Sequence, residues 1–394
     1  MTTPVAPALK KTALNATHRA LKAKMVDFGG WDMPVEYPGF TPLRQGSVSG
    51  GPGGSGLIAE HMAVRTAVGL FDVSHMGEIQ FRGPGALAAV EHITMNQASR
   101  LKDGQAHYSA LLTPQGTFVD DILVHRLGEN DFLLVVNAGT TEKDYAWIRR
   151  QVGGWPGLHI SDYSSYYSQL ALQGPRALET LQKLTKVDLA AIKNYWFTWG
   201  QVAGVHNVLI ARTGYSGEDG FEVYSPSDEA TTVKMWEALM EAGAEFGIRP
   251  CGLGARNTLR LEAGMSLYGH EISEEINVLE AGLDHWLKLD KGEFIGREAL
   301  LAVQASGGPK RKIVALEMVE RGIGRDGYSV LSMDGERIGT VTSGSPAPFL
   351  KTNIAFALVP AAVAAGGGDV LVDVRGNRVR AKQVPAPFYK RARK

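Results

Sequence analysis

The alternation of apolar and polar residues divides the chain into two regions. Up to about residue 300, runs with helical spacing alternate with short runs of strand character. Helices are predicted from about residue 57 and over residues 84–96, 142–152 and 254–264. Strands are predicted over residues 78–82, 108–112, 117–125 and 132–136. The second and third strands flank Pro114-Gln115-Gly116 and predict a hairpin, so this region is α+β.

From about residue 312 the pattern changes to short apolar runs separated by glycine-containing turns. Strands are predicted over residues 313–318, 328–333, 337–343, 354–358, 370–374 and 379–384. Six short strands with little helix are typical of a small barrel or sandwich. A Ser-Gly-Gly-Pro stretch within residues 304–309 marks the boundary, which predicts one unit over residues 1–303 and a second over residues 310–394.

Residues 46–56 are rich in glycine and serine and have almost no apolar side chains. That composition predicts a flexible surface insertion near residues 41–56. Its role is not evident from the sequence.

Charge and cysteine content exclude several classes of protein. The chain has 394 residues, with 41 basic and 41 acidic side chains. A net charge of zero argues against nucleic-acid binding or a polybasic membrane protein. Cys251 is the one cysteine, so no intrachain disulfide can form, and its Pro-Cys-Gly setting favours a small structural residue. No apolar run reaches the roughly 18 residues of a membrane span, and no secretory signal is evident. We therefore expect a cytoplasmic protein.

Two motifs that elsewhere bind cofactors do not fit here. The G-x-G-x-x-G match that begins at Gly51 has no strand before it, and the match that begins at Gly322 leads into a strand instead of a helix. A dinucleotide site requires a strand, the glycine-rich loop and then a helix. The ten histidines include no His-x-x-x-His pair and no His–Cys cluster, so no metal site is predicted. His75 is interpreted as a packing or capping residue.

The pair Asp120-Asp121 lies inside an apolar strand. On a strand, Asp120 shares a face with Ile122 and Val124, while Asp121 shares the opposite face with Leu123. Because neither face is polar, at least one carboxylate is expected to be partly buried, which often marks a functional site. The residues leave open the alternative that one aspartate ends the strand and accepts bonds from nearby amides.

Residues 212–222 combine three glycines, a tyrosine and three carboxylates. The loop could bind a planar heterocycle, with Tyr215 offering a ring face and Glu222 a fixed carboxylate, or be an ordinary glycine-rich hairpin with an acidic tip. On the helix after residue 253, Arg256 and Arg260 are spaced i, i+4 and can share a side. They could bind a ligand carboxylate or pair with Glu262 or another acid.

Taken in order, these motifs resemble the glycine cleavage T-protein family, a group of tetrahydrofolate-dependent aminomethyltransferases. The resemblance covers nearly the whole chain and is carried by residues 24–35, 69–78, 120–121, 212–222, 259–264, 339–344 and 387–389. It implies an α+β, multi-lobed, folate-binding aminomethyltransferase-type core of two interleaved lobes, followed by a C-terminal β-barrel. It also implies tetrahydrofolate as co-substrate, no metal, and the lipoylated H-protein of the glycine cleavage system as partner.

The resemblance assigns roles residue by residue. Asp121 is expected to be the functional carboxylate near folate N10, and Glu222 to accept the N–H edge of the pterin. Glu218 and Asp219 are expected to lie in the turn at the surface. The other folate-binding positions implied are Arg256, Tyr389, Tyr215, Tyr108, Val135, Met76 and Tyr195.

The chain departs from the family pattern at the 41–56 insertion and at Trp286, which stands one position later than the usual tryptophan. We therefore leave Trp286 out of the predicted site. Two related functions remain as alternatives. A tetrahydrofolate-dependent demethylase is disfavoured by the stretch Phe71-Asp72-Val73-Ser74-His75-Met76. A non-enzymatic iron–sulfur assembly factor is disfavoured because residues 291–296 lack the cysteine typical of that group.

Overall fold

The structure is a computed structural model that describes residues 8–40 and 55–392. Most of the predicted 41–56 insertion lies outside these residues. The elements of the first region are, in chain order, α1 (Asn15–Ala20), β1 (Lys24–Phe28), β2 (Trp31–Glu36), α2 (Leu57–Thr66), β3 (Gly69–Asp72), β4 (Gly77–Arg82), α3 (Ala86–Ile93), β5 (Gln105–Leu112), β6 (Phe118–Gly128), β7 (Asp131–Val136), α4 (Thr141–Val152), β8 (His159–Asp162), β9 (Tyr167–Gln173), α5 (Ala177–Gln182), β10 (Phe197–Val202), β11 (Val205–Ala211), β12 (Gly220–Pro226), α6 (Glu229–Ala242), β13 (Arg249–Cys251), α7 (Leu253–Glu262) and α8 (Arg297–Ala305).

The first sheet has five antiparallel strands in the order β5-β6-β7-β4-β8. Helices α3 and α4 cover one face, where Ile79, Phe132 and Ile148 contribute to an apolar core. The predicted β5–β6 hairpin is confirmed. The helix predicted over residues 84–96 is shorter, because it begins at Ala86 and because Thr94 has left the helix and adopts an extended conformation.

The second sheet has six strands in the order β10-β11-β12-β9-β3-β13, all antiparallel except the β3–β13 pair. Helices α1, α5 and α6 pack on its outer face, where Leu14, Leu181 and Trp236 lie in the core. Along the chain, β3 belongs to this sheet while β4 to β8 form the first sheet. The two lobes are therefore interleaved in sequence.

The inner faces of the two sheets pack against each other. An apolar layer between them contains Val135 from β7, Leu209 from β11 and Tyr224 from β12. The edge strands β5 and β10 also meet, because the amide of Ala106 donates to the carbonyl of Tyr195 at 2.7 Å. Side chains on these inner faces converge on the space between the lobes.

The C-terminal region is a closed six-stranded barrel, as the sequence predicts. Its elements are β14 (Arg311–Met318), β15 (Ser329–Leu331), β16 (Arg337–Ala347), β17 (Thr352–Pro360), α9 (Ala361–Gly366), β18 (Asp369–Val374) and β19 (Asn377–Val384). The α+β class with a C-terminal barrel is confirmed, while the division into residues 1–303 and 310–394 stays a proposal.

A buried polar network joins the lobes to the barrel, centred on Arg65 of α2 and Glu262 of α7. Both side chains are fully buried, and Arg65 Nε donates to Glu262 Oε2 at 2.9 Å. Glu262 also accepts from the amide of Phe349 in the barrel at 3.2 Å, and its carbonyl accepts from the amide of Tyr389 at 2.7 Å. We call this set the Arg65–Glu262 network.

Candidate active site

A cavity of about 240 Å³ lies between the two sheets, with the loop of residues 212–222 and the segment after α7 forming part of its wall. Among the predicted folate-site residues, those whose side chains line it are Met76, Tyr108, Asp121, Val135, Tyr195, Tyr215, Glu222 and Arg256. Residues from four strands, one helix and three loops therefore reach one space, although they are far apart in the sequence.

Asp121 faces this cavity from β6, and both of its carboxylate oxygens are held. The hydroxyl of Tyr108 donates to Oδ2 at 3.1 Å, and Nδ2 of Asn137 donates to Oδ1 at 2.8 Å. Burial and the neighbouring charge of Asp120 raise the pKa of Asp121 to about 7. A carboxyl group with such a pKa exchanges a proton readily near neutral pH, which suits general acid–base chemistry.

Asp120 points to the opposite face, as the alternation of the strand predicts, and is fully buried. It accepts hydrogen bonds from the amide of Asn137 at 3.0 Å and from the hydroxyl of Thr140 at 2.9 Å. The alternative is therefore correct in its hydrogen bonds but not in its position, because Asp120 lies inside β6 and does not end the strand. Asp121 is presented to the cavity.

Glu222 lies on β12, paired with Ala171 of β9 and Ala211 of β11, in the middle of the second sheet. It is 7% exposed, and the hydroxyl of Thr213 donates to Oε2. Burial raises the pKa of Glu222, although Thr213 and the positive charge of Arg256 oppose that rise. The carboxylate is thus fixed at the cavity wall.

Arg256 makes no ion pair and no side-chain hydrogen bond within residues 8–40 and 55–392. Its guanidinium lies 4.4 Å from the ring centroid of Tyr215, a cation–π contact. The hydroxyl of Tyr215 in turn donates to the carbonyl of Ser266. A charged group that is inside a cavity and lacks a carboxylate partner is suited to bind an anionic or carbonyl oxygen of a ligand.

The guanidinium of Arg260, one turn further along α7, differs from that of Arg256 because it has hydrogen-bond partners within the described part of the protein. Its guanidinium donates to Glu271 at 2.8 Å and to the hydroxyl of Ser343 at 2.7 Å, and both charged side chains are 1% exposed. The alternative that Arg260 pairs with an acid is therefore confirmed, and the acid is Glu271 rather than Glu262, which is bound to Arg65. The two arginines share a helix side in the sequence pattern but have different partners.

The tip of the 212–222 loop is more buried than predicted. The side chain of Glu218 is 5% exposed and pairs with Arg65 at 3.0 Å. Asp219 pairs with Arg212 at 2.6 Å. A Cβ on Gly214 would lie 2.0 Å from Oε1 of Gln173, so a larger residue would displace that buried side chain from its hydrogen bonds to Thr213 and Ser216. The expectation of a surface tip is wrong for Glu218, because the loop folds back onto α2.

The rings of Trp286, Tyr108 and Tyr195 lie close together on the cavity wall. The ring of Trp286 lies 5.6 Å from that of Tyr108 and 6.1 Å from that of Tyr195, between centroids. Tyr195 has a φ of +60°, a left-handed conformation unusual for a tyrosine. Trp286, which we left out of the predicted site, lines the cavity. The tryptophan that the family has one position earlier could have indicated this, whereas the sequence held no such indication for Asn137 and Tyr268, which also line the cavity.

Tyr389 does not line the cavity, in contrast to the other predicted site residues. Its ring lies 4.0 Å from the guanidinium carbon of Arg65. Burial and a hydrogen bond to Glu218 raise the pKa of Tyr389 to about 12. Its role as a folate contact stays a prediction.

A second cavity of about 480 Å³ adjoins the first and shares Tyr215, Arg256 and Leu267 with it. Its far side is formed by Phe28 of the β1–β2 hairpin and by Arg325 of the barrel. Arg256 therefore lies at the junction of the two spaces.

The remaining sequence-based interpretations concern groups outside the cavity. His75 is 1% exposed, and its ring lies edge-on to that of Phe28 at 5.6 Å. Cys251 is a buried free thiol. Among the described residues, no group of three or more His, Cys, Asp or Glu side chains is arranged to bind a metal. Within the same residues, no helix has the length and apolar character needed to cross a membrane.

Comparison with known proteins gives consistent matches over the whole chain. The family model described as the GCVT N-terminal domain matches residues 14–291, and that of the glycine cleavage T-protein C-terminal barrel domain matches residues 311–390. The aminomethyltransferases of Acidobacterium capsulatum and Koribacter versatilis are 64% and 56% identical to this chain, in each case over 100% of both chains. The crystal structure of glycine cleavage system aminomethyltransferase T from Bartonella henselae aligns with a TM-score of 0.85 and 31% identity, and covers 97% of this chain and 98% of that one.

Proposed function

The chain belongs to the glycine cleavage T-protein family and is an aminomethyltransferase of the glycine cleavage system, and from that premise we propose that it transfers a one-carbon unit from the aminomethylated lipoyl arm of H-protein to tetrahydrofolate. The products are 5,10-methylenetetrahydrofolate, ammonia and the dihydrolipoyl arm. Tetrahydrofolate is a co-substrate, and the reaction as proposed uses no metal. A cytoplasmic location is part of the same proposal.

One observation supports this function above all: the buried carboxylate of Glu222, the half-buried carboxylate of Asp121 and a guanidinium without an acidic partner among the described residues converge on one aromatic-walled cavity. Asp121, Glu222 and Arg256 come from β6, β12 and α7 and line the same space. The pterin ring of a folate offers a planar face and a row of N–H donors, and its tail ends in carboxylates. Each of these ligand features has a complementary group in the cavity.

We assign binding roles on that basis. Glu222 accepts two parallel N–H bonds from the pterin, because a carboxylate fixed by Thr213 is oriented for them. Tyr215 flanks the ring system. Arg256 holds an oxygen of the folate tail, since no carboxylate of the described residues occupies its guanidinium. Tyr108, Tyr195, Val135 and Met76 provide the surrounding surface.

Asp121 is the proposed catalytic residue. Departure of the carrier sulfur leaves an iminium-like CH₂ group, which a folate nitrogen attacks. Two folate N–H protons are released as the new C–N bonds form. One proton goes to the sulfur and one to the departing amine, so that atoms and charge balance. A carboxylate with a pKa near neutral accepts such a proton and stabilises the positive charge that develops on the folate nitrogen.

Turnover of aminomethylated H-protein with and without tetrahydrofolate tests the proposal. We expect rapid ammonia release only when both are present, together with formation of methylenetetrahydrofolate. Unmodified lipoylated H-protein is the control and should release no ammonia. Ammonia release at the same rate without folate would refute the proposal. Folate-dependent loss of a methyl group from a small methylated donor, without activity on H-protein, would favour the demethylase alternative.

A further inference from the structure

A column of three acidic side chains runs from the cavity into the first lobe: Asp121, Asp120 and Asp144. Asp120 and Asp144 are both 0% exposed. None of the three pairs with a lysine or arginine in residues 8–40 and 55–392. Three carboxyl groups in such a place are costly unless protons and hydrogen bonds compensate their charges.

Asn137, at the end of β7, connects the first two members of the column. Its Nδ2 donates to Asp121 Oδ1 and to Asp120 Oδ1, each at 2.8 Å. The backbone amide of Asn137 and the hydroxyl of Thr140 both donate to Asp120 Oδ2, at 3.0 and 2.9 Å. Asp120 therefore accepts three hydrogen bonds, which fix the position of its carboxyl group.

Asp144, in the first turn of α4, completes the column from behind. In the described residues neither of its carboxyl oxygens has a donor of normal geometry. Its carboxyl group and that of Asp120 are within hydrogen-bonding reach of each other, and burial together with the charge of Asp120 raises the pKa of Asp144 well above its usual range. The neutral form of Asp144 is therefore favoured, and in that form it has a proton to donate to Asp120.

The other charged and titratable groups near the column do not neutralise Asp120. Lys143 on α4 directs its ammonium to the carbonyl of Val119 at 2.6 Å and to the hydroxyl of Tyr268 at 2.7 Å. The groups that face Asp121 across the cavity are Tyr108 of β5, Tyr215 of the loop, Arg256 of α7 and Glu222 of β12. The positive charge of Arg256 favours the ionised form of Asp121, whereas burial and the charge of Asp120 behind it raise its pKa.

We propose that Asp120 is a positioning residue for the transfer reaction, whose buried negative charge, held by Asn137, Thr140 and the proton of Asp144, makes Asp121 a strong enough base for the folate nitrogen. The inference rests on the proposed function, because it concerns the same proton transfer. In this proposal Asn137 fixes the direction of the Asp121 carboxylate, while Asp120 sets how readily Asp121 accepts the proton. A substitution that removes the charge and keeps the shape separates these two contributions.

The test is the pH dependence of kcat/KM for the wild-type enzyme and for Asp120→Asn, measured as folate-dependent ammonia release over about pH 5 to 9. In the wild type, the acidic limb should have its midpoint near the Asp121 pKa of about 7. In Asp120→Asn, the midpoint should fall by at least about one pH unit, and the plateau should drop at least about tenfold because a weaker base remains. Asp334→Asn, on an exposed barrel turn, is the matched control and should retain the wild-type midpoint.

An unshifted midpoint in a folded Asp120→Asn enzyme would overturn the inference, because a merely structural role lowers the rate equally at every pH. An inactive wild-type enzyme would instead refute the proposed function. If Asp120→Asn does not fold, Asp144→Asn provides the second test. The infrared difference spectrum of the wild type minus Asp144→Asn should contain a protonated carboxyl band at about pH 9, where Asp121 is ionised. Absence of that band from the difference spectrum would equally overturn the inference.

Discussion

Glu262→Gln should destabilise the protein far more than its small change in shape suggests. Three donors converge on the Glu262 carboxylate: Arg65 Nε at 2.9 Å, the ring of His61 at 3.1 Å and the amide of Phe349 at 3.2 Å. Burial lowers the pKa of His61, so the imidazole stays neutral and Arg65 is the charged partner. In either orientation, a glutamine at this position directs its NH₂ group against one of these donors.

The magnitude follows from the burial of the pair. Removing one member of a fully buried ion pair costs about 3–5 kcal/mol, because the other charge loses its partner. Arg65 keeps Glu218 at 3.0 Å and the carbonyl of Ser216 at 2.7 Å, so part of the compensation survives. We therefore expect a loss of about 2–4 kcal/mol in the apparent free energy of unfolding.

Urea unfolding followed by circular dichroism measures this loss. Glu179→Gln is the matched control, because Glu179 pairs with Arg176 at a similar 2.9 Å while 39% and 53% of the two side chains are exposed. We expect that control to cost about 0–1 kcal/mol. Equal losses for the two variants would refute the reasoning, because the two ion pairs have the same length and differ in burial and in the further donors to Glu262.

Further predictions concern the cavity. Asp121→Asn should fold and bind tetrahydrofolate but lose at least about a hundredfold in rate, and near-normal turnover with H-protein would exclude Asp121 as the catalytic residue. Glu222→Ala should weaken the binding of tetrahydrofolate measured by calorimetry, whereas Glu237→Ala, on the exposed side of α6, should not. Equal folate affinities of the two variants would exclude Glu222 from the pterin site. Only ionised Asp121 accepts a proton, and its pKa is raised to about 7. Therefore kcat/KM should be constant well above about pH 7 and fall about tenfold per pH unit well below it. A flat profile down to about pH 5 would contradict this role.

Much of the fold was predictable because the relevant signals are local. Each of the six barrel strands has its own apolar run and its own turn residues, so the pattern after residue 312 predicts a small barrel or sandwich before any tertiary contact is considered, and the family resemblance selects the barrel. The β5–β6 hairpin has its turn signal at Pro114-Gln115-Gly116 in the same way. The helix predicted over residues 84–96 was too long because no local signal revealed that Thr94 joins β5 through a bridge to Leu111.

The candidate site was predictable only in part. Strand alternation correctly separates the faces of Asp120 and Asp121, but cannot say which face meets a cavity. The family resemblance selected Asp121, and that assignment of role remains to be tested. Nothing in the sequence indicated that Asn137 bridges the two carboxylates, or that Glu218 turns inward to Arg65.

By itself, the sequence determined part of the elements of the first region, the strand-rich C-terminal region, the family resemblance that implies its barrel, and the residue types available for chemistry. The tertiary structure alone decided which of two arginines on one helix side is free: Arg260 is bound by Glu271, whereas Arg256 remains unpaired among the described residues at the junction of two cavities. It also decided that Asp120 and Asp144 lie behind Asp121. The reason is physical, because the pKa of a carboxyl group depends on burial and on charges a few ångströms away, and these are set by packing between segments that are distant in sequence.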